Sequence, residues 1–338
     1  MSLTLTFPTT PPKTSSLDRA ILEVLTYSDI FDQPLRPEEL HRYFPIRMEL
    51  NELLPALNSL NGWTCTKDGF YFLASREEIV EVRREREARS KELLPVALRY
   101  GRILGRLPFI RMTALTGSLA VLNVSRDADF DYMLVTAPGR LWTARAFALL
   151  FNRFTQILDH TICPNIIVAE TALEWKQHDL YSARELHQMI PITGMDVYQK
   201  LMQANEWTRN FLPNADMSLR GANGVSDEAI SSPKPGISSR RLAIIERVLR
   251  GYLGDRLENW EMNRKIARFS KQEGFGEETV FTAEVCQGNF HHHRKWTKGR
   301  YEEKVSSLAE VHLTLPLPSS AAGYETPSPR TAKGAHKP

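Results

Sequence analysis

Two aspartates that alternate with aromatic residues, within Thr116–Thr136 (TGSLAVLNVSRDADFDYMLVT), are the residues of this chain best suited to chemistry. On a strand, alternate side chains share a face. Asp129 and Asp131 then point one way, while Phe130, Tyr132 and Leu134 point the other way into a core. Neighbouring carboxylates repel, which favours protonation unless a cation lies between them. Mg²⁺ or Mn²⁺, held by the two acids and by substrate phosphates, resolves that conflict. Upstream, Gly117 permits a tight turn and Ser118 sits where a short helix begins. Backbone N–H groups and a hydroxyl at such a turn make a phosphate cradle. Phosphate held beside a carboxylate-bound metal is the arrangement of phosphoryl transfer.

An Asp-x-Asp pair alone is commonly a solvated or loop-capping feature. What sharpens this one is order: strand, Gly-Ser, ten residues, Asp-x-Asp, strand. Arg140 and Arg145, at the start of the next helix, are candidate nucleotide-binding residues, because guanidinium forks match triphosphate oxygens. The segment NFHHHRKW has no acid or thiol at ligand spacing, so it reads as a basic, aromatic-bounded patch rather than a zinc site. Trp142, Trp175, Trp207 and Trp260 fall in helical contexts and read as core.

Gly117-Ser118 followed by Asp129-x-Asp131 resembles the signature of the DNA polymerase β-like nucleotidyltransferase superfamily. In particular it is similar to bacterial nucleotidyltransferase-domain proteins related to minimal and aminoglycoside nucleotidyltransferases. The likeness covers about residues 110–170. It implies that Gly117 and Ser118 bind the triphosphate of an NTP and that Asp129 and Asp131 bind divalent metal. A nucleoside monophosphate then passes to a hydroxyl-type acceptor and pyrophosphate leaves; a small molecule, a protein or an RNA end fits the acceptor role. A third acid on a later strand usually completes the set. Here the candidate is Glu170, at the end of CPNIIVAE, with Asn165 near its start as a carbonyl ligand. Asp127 also precedes the pair, but only Asp129 and Asp131 lead into a full apolar strand. If no third acid serves, the alternative is a catalytically degenerate nucleotide-binding regulator.

The elements that must position these groups form three parts. Residues 17–74 give three short helices and a hairpin turning at Asp68-Gly69, the plan of a winged helix that contacts DNA or protein. Its third helix carries Glu49 and Glu52, which disfavours a DNA groove, and Pro55 should break or kink it. Residues 75–107 form a charged connector helix whose mixed charges read as a solvated face. Residues 108–215 are expected to be an α/β nucleotidyltransferase-like domain with a mixed sheet. A Ser/Gly/Pro-rich loop at 216–238 leads to a helical C-terminal region, 239–312, beginning with one long helix. Residues 1–16 and 313–338 have the composition of unstructured termini.

Composition sets outer bounds. With 338 residues, 42% hydrophobic and 25% charged, the chain has material for a real core. A net charge of +3 is compatible with nucleotide partners without requiring them. No apolar run is long enough to span a membrane, and the N-terminus lacks a signal-peptide pattern. Cys65, Cys163 and Cys286 are widely spaced and read as reduced thiols, so a cytoplasmic enzyme or regulator is expected.

Overall fold

The computed structural model describes residues 16–60, 62–126, 129–215, 244–276 and 278–310. The expected unstructured termini (apart from Ser16) and the 216–238 loop lie outside these residues, as does Asp127. Within them the chain is mixed α/β, built around a six-stranded mixed sheet with helices on both faces.

The N-terminal part runs α1 (Ser16–Asp29), α2 (Pro37–Arg42), α3 (Leu50–Ser59), β1 (Thr64–Lys67) and β2 (Phe70–Leu73). Asp68 and Gly69 both take positive φ, 55° and 79°, as a tight two-residue hairpin turn requires. α3 continues through Pro55 instead of breaking there. Ile21, Leu25, Leu40, Phe44 and Leu53 form the core of this part, which also takes in Ala183, Leu212 and Ala215 from far along the chain.

α4 (Glu78–Leu104) does not keep all its charge in water. Arg83 is fully buried and pairs with Glu39 of α2 at 2.7 Å, and Glu87 pairs with Arg36 at 2.9 Å. The expected solvated face is thus partly an ionic lock, because α2 and the hairpin cover that side of the helix.

The sheet comprises β3 (Ile110–Leu115), β4 (Phe130–Thr136), β5 (Ile162–Ala169), β6 (Ile190–Thr193), β7 (Thr279–Phe281) and β8 (Val285–Gly288), in the order β6-β3-β4-β5-β8-β7. Only β4 and β5 are parallel, joined through α6 (Leu141–Gln156). Three strands, β6, β7 and β8, escaped the sequence reading. β6 contains Pro191, which is tolerated because the strand lies at the sheet edge. The β7–β8 hairpin shows that the C-terminal region is not purely helical; it extends the sheet beside β5. The long helix expected there is also divided. A helical segment over 244–249 ends before Gly251, and α9 (Tyr252–Phe269) starts anew.

On one face of the sheet α4, α6 and α9 cover Phe130, Tyr132 and Leu134. On the other, α7 (Leu180–Gln188) and α8 (Met195–Ala204) cover Met133 and Val135. Fully burying each such side chain is worth roughly 1.5–3 kcal/mol. A one-residue slip would exchange the two faces and carry Asp131 into the α4–α6 layer. The apolar residues of β4 therefore set where the carboxylates point.

Candidate functional site

β3 ends where β4 and β5 begin, and the Gly-Ser turn lies at this junction. Thr116 N–H donates to the Asp131 carbonyl at 2.9 Å, so the turn is stitched to β4 at the acidic residue. Gly117 has φ +67°, and a Cβ built there would collide with Asp131 Oδ2 and meet Asp131 Cβ and Cγ at 3.2 Å. Glycine is required on both counts, conformational and steric. Behind the turn, α5 (Gly117–Ala120) is held by Asn123, whose N–H donates to Ser118 O at 2.8 Å and whose Nδ2 donates to Phe31 O at 3.1 Å.

Gly117, Ser118, Asp129 and Asp131 all line one cavity of about 600 Å³. Its floor includes Cys163 and Asn165 of β5. α7 contributes Tyr181, Arg184 and Glu185, and α1 contributes Tyr27. The remaining wall comes from the segment before and within α10 (His293–Glu310), which brings in His291, His293, Arg294 and Trp296. Buried Glu278 fixes that wall by accepting from the N–H groups of Arg294 (3.1 Å) and Lys295 (2.7 Å) at the start of α10.

The cavity is electrostatically loaded. Burial, then the charge of Asp129, then that of Glu185 push the Asp131 carboxyl up to about 7, against a hydrogen bond from the Cys163 thiol. Burial alone pushes Glu185 up to about 7. The Cys163 thiol is pushed up to about 12 by burial and by both aspartates, which leaves it neutral. A cation among these oxygens would relieve the strain recorded in Asp131. The donor set suits a hard ion: two carboxylates, an amide carbonyl at Asn165 and a thiol too basic to compete. Among the described residues no group of three or more His, Cys, Asp or Glu is placed to hold a metal. The aspartate pair would therefore need substrate oxygens to complete a coordination sphere.

Three residues proposed from sequence lie elsewhere. Glu170 follows β5, its N–H donating to Thr136 O at the far end of β4 from Asp131. Five strand residues separate the two levels, roughly 16 Å at the usual rise; Glu170 instead sits 3.8 Å from Lys200. Arg140 donates to the carbonyls of Leu249 and Arg250, both at 2.8 Å, and pairs with Asp255 at 2.7 Å. Arg145 packs against Trp142 and Phe269 in the α6–α9 layer. Both arginines tie the C-terminal helices to α6, outside the cavity lining. Of the four tryptophans, Trp142 is fully buried, Trp175 lines the cavity and Trp260 is exposed.

No protein-family model, curated protein or solved structure matches the chain in comparisons with known proteins. The case for function therefore rests on the cavity. Two of its groups, Arg184 and Glu185, carried no sequence signal: in YSARELHQM they look like the polar face of an amphipathic helix. Only the packing of α7 against the opening of β4 turns that face inward.

Proposed function

We propose that this chain is a metal-dependent nucleotidyltransferase of the DNA polymerase β-like kind, moving a nucleoside monophosphate from an NTP to a hydroxyl-type acceptor. The observation that carries the reading is the contact between the Gly117 turn and the Asp131 carboxylate on the wall of one cavity. Residues eleven or more apart in sequence thereby lie side by side, which supports reading them as a phosphate cradle and a metal-holding pair. Mg²⁺ or Mn²⁺ held by Asp129 and Asp131 would polarise the α-phosphate and offset charge on the departing pyrophosphate. Gly117 and Ser118 orient the β- and γ-phosphates through backbone N–H groups and the serine hydroxyl. The acceptor oxygen bonds to the α-phosphorus as the bond to the bridging β-phosphate oxygen breaks. Glu185 lines the same cavity with its carboxyl pushed up to about 7 by burial, and in this reading it takes the acceptor's proton and returns it to water.

A second reading is favoured by one observation. On β5, Cys163 is paired in register with Asp131 and Asn165 lies two residues on, so no strand acid completes the set. A degenerate enzyme that senses nucleotide would keep the Gly-Ser turn and the aspartates for binding. The N-terminal helices and hairpin, read as a winged helix, would then contact DNA or a protein.

Labelled NTPs, Mg²⁺ or Mn²⁺ and a cell extract as acceptor pool test the two readings. Wild type should label an acceptor, and Asp129→Asn or Asp131→Asn should reduce labelling about a thousandfold, a loss in the range seen for removal of a key electrostatic group. Aspartate-dependent NTP binding without transfer would replace the enzyme by the sensor. Labelling that survives both substitutions overturns the assignment.

A further inference from the structure

Arg184 has a setting that the transfer chemistry above does not use. Its side chain is 3% exposed and lies between two aromatic rings, 4.0 Å from the Tyr27 centroid and 4.3 Å from that of Tyr43. One guanidinium nitrogen, Nη1, donates to Ser28 Oγ at 3.3 Å, while Nε is buried without a hydrogen-bond partner. Among the described residues Arg184 forms no ion pair. A buried guanidinium is ordinarily matched by a carboxylate, because an unmatched one carries a large desolvation cost. Aromatic faces offset only part of that cost, on the order of 2 kcal/mol at a desolvated site. The residue nonetheless lines the cavity, on the helix next to the Gly-Ser turn's own.

We infer that Arg184 is an anion-binding residue of the cavity, and that its missing counter-charge is a phosphate group of a bound ligand. The two rings hold the guanidinium plane fixed and Ser28 fixes its rotation, so the group is preorganised for phosphate oxygens without rearranging. Arg294, paired with Asp179 at 3.3 Å, brings a second guanidinium to the same cavity. The phosphate belongs either to the tail of the nucleotide or to the acceptor; only this choice of source rests on the nucleotidyltransferase reading.

The test is a thermal-shift titration of the full chain with inorganic phosphate at constant ionic strength, without metal or nucleotide. Phosphate stabilises many proteins non-specifically, and the variant serves as the control for that effect. Wild type should gain stability with a saturable dependence on phosphate. Arg184→Met should lose the saturable part. Arg184→Lys keeps the charge without the fork and should need at least about tenfold more phosphate; it answers the question if the methionine variant does not fold. A response equal in wild type and in either variant overturns the inference, as does the absence of any saturable response in wild type.

Titrations with ATP and adenosine then separate the sources. An ATP affinity lowered tenfold or more in Arg184→Met, with adenosine unchanged, assigns the phosphate to the nucleotide. Inorganic phosphate that still binds the ATP-loaded wild type, but not the ATP-loaded variant, assigns it to the acceptor. The first titration contains no nucleotide, so its outcome stands apart from whether the protein transfers one.

Discussion

Arg83 and Arg184 are both buried, yet they face opposite electrostatic settings. Arg83, in the α2–α4 contact, has Glu39 at 2.7 Å, Glu87 at 3.8 Å and the Val121 carbonyl at 3.3 Å. Arg184, on the cavity wall, has a single hydroxyl. The same division runs through the acids. Glu258 is consumed by the α6 N-terminus, accepting from Trp142 N–H and Thr143 N–H at 2.8 Å each and from Thr143 Oγ1 at 2.7 Å. Asp131 and Glu185, in the cavity, are left with raised pKa values and few donors. Arg83 and Glu258 are paired with groups of the fold, although Nε of Arg83, and Nε and Nη1 of Arg145, are buried without a hydrogen-bond partner. Among the described residues, Asp131, Glu185 and Arg184 lack such carboxylate or guanidinium partners, and all three line the same cavity.

The largest stability effect should come from breaking the paired class. Arg83→Met removes the partner of Glu39, while Glu87 keeps Arg36 and Lys91, and should cost about 3 kcal/mol, the low end for breaking a buried pair, measured by denaturant unfolding. A loss below 1 kcal/mol would show that buried pairing does not discriminate structural from functional arginines here.

Gly117→Ala tests the seam between the two classes. An alanine at φ +67° is strained by about 1–3 kcal/mol, and its methyl group must displace the Asp131 carboxylate. Activity or nucleotide binding should therefore fall further than stability does. If binding is kept while stability drops, the turn is structural only.

Glu185→Gln sharpens the comparison through pH. A carboxyl raised to about 7 in the folded state binds more protons than its unfolded counterpart between roughly pH 4.5 and 7. Wild-type stability should therefore fall as pH rises across that window, because ionised Glu185 remains unpaired. The glutamine variant should match wild type below pH 4 and exceed it by about 1–2 kcal/mol at pH 8, a fraction of the full shift. Asp131, also raised, leaves part of the slope in place. Equal melting temperatures at pH 8 would show that Glu185 is adequately solvated.

Much of the site was legible because one local rule wrote it. Strand alternation placed Asp129 and Asp131 together and opposite Phe130, Tyr132 and Leu134, and the turn residue Gly117 stood beside them. The mixed sheet was legible for the same reason, and so was the Asp68-Gly69 hairpin. What was not legible came from partners distant in sequence. Arg140 looked like a phosphate fork, yet Leu249, Arg250 and Asp255 take up its donors. Arg184 looked solvated, yet α1 closes over it with Tyr27. β6 and the β7–β8 hairpin are runs of only three or four residues, and they join the sheet at its two ends. Such runs are too short to stand out by pattern, even though Ile, Val, Thr and Phe favour strands.

The smallest effect is expected at the residue to which the family resemblance gave a large one. Glu170 follows the end of β5 where a third acid was sought, but the parallel register pairs the preceding Ala169 with Thr136, far from Asp131. Its contact with Lys200 at 3.8 Å joins side chains that are 28% and 59% exposed, the range in which ion pairs contribute at most about 1 kcal/mol. Glu170→Gln should thus change stability by no more than about 0.5 kcal/mol. It should leave metal-dependent transfer within about twofold of wild type, in the same assay where Asp131→Asn should lose about a thousandfold. A large loss on Glu170→Gln would mean that the working conformation moves β5 by several residues' length relative to β4. Such a slip would have to tear the parallel pairing from Met133↔Ile166 through Thr136↔Ala169. Because both faces of that ladder are buried, the slip would cost more than the whole stability of an ordinary domain, about 5–15 kcal/mol. The register therefore decides against Glu170 and leaves Glu185, reached across the cavity from α7, as the acid to test in its place.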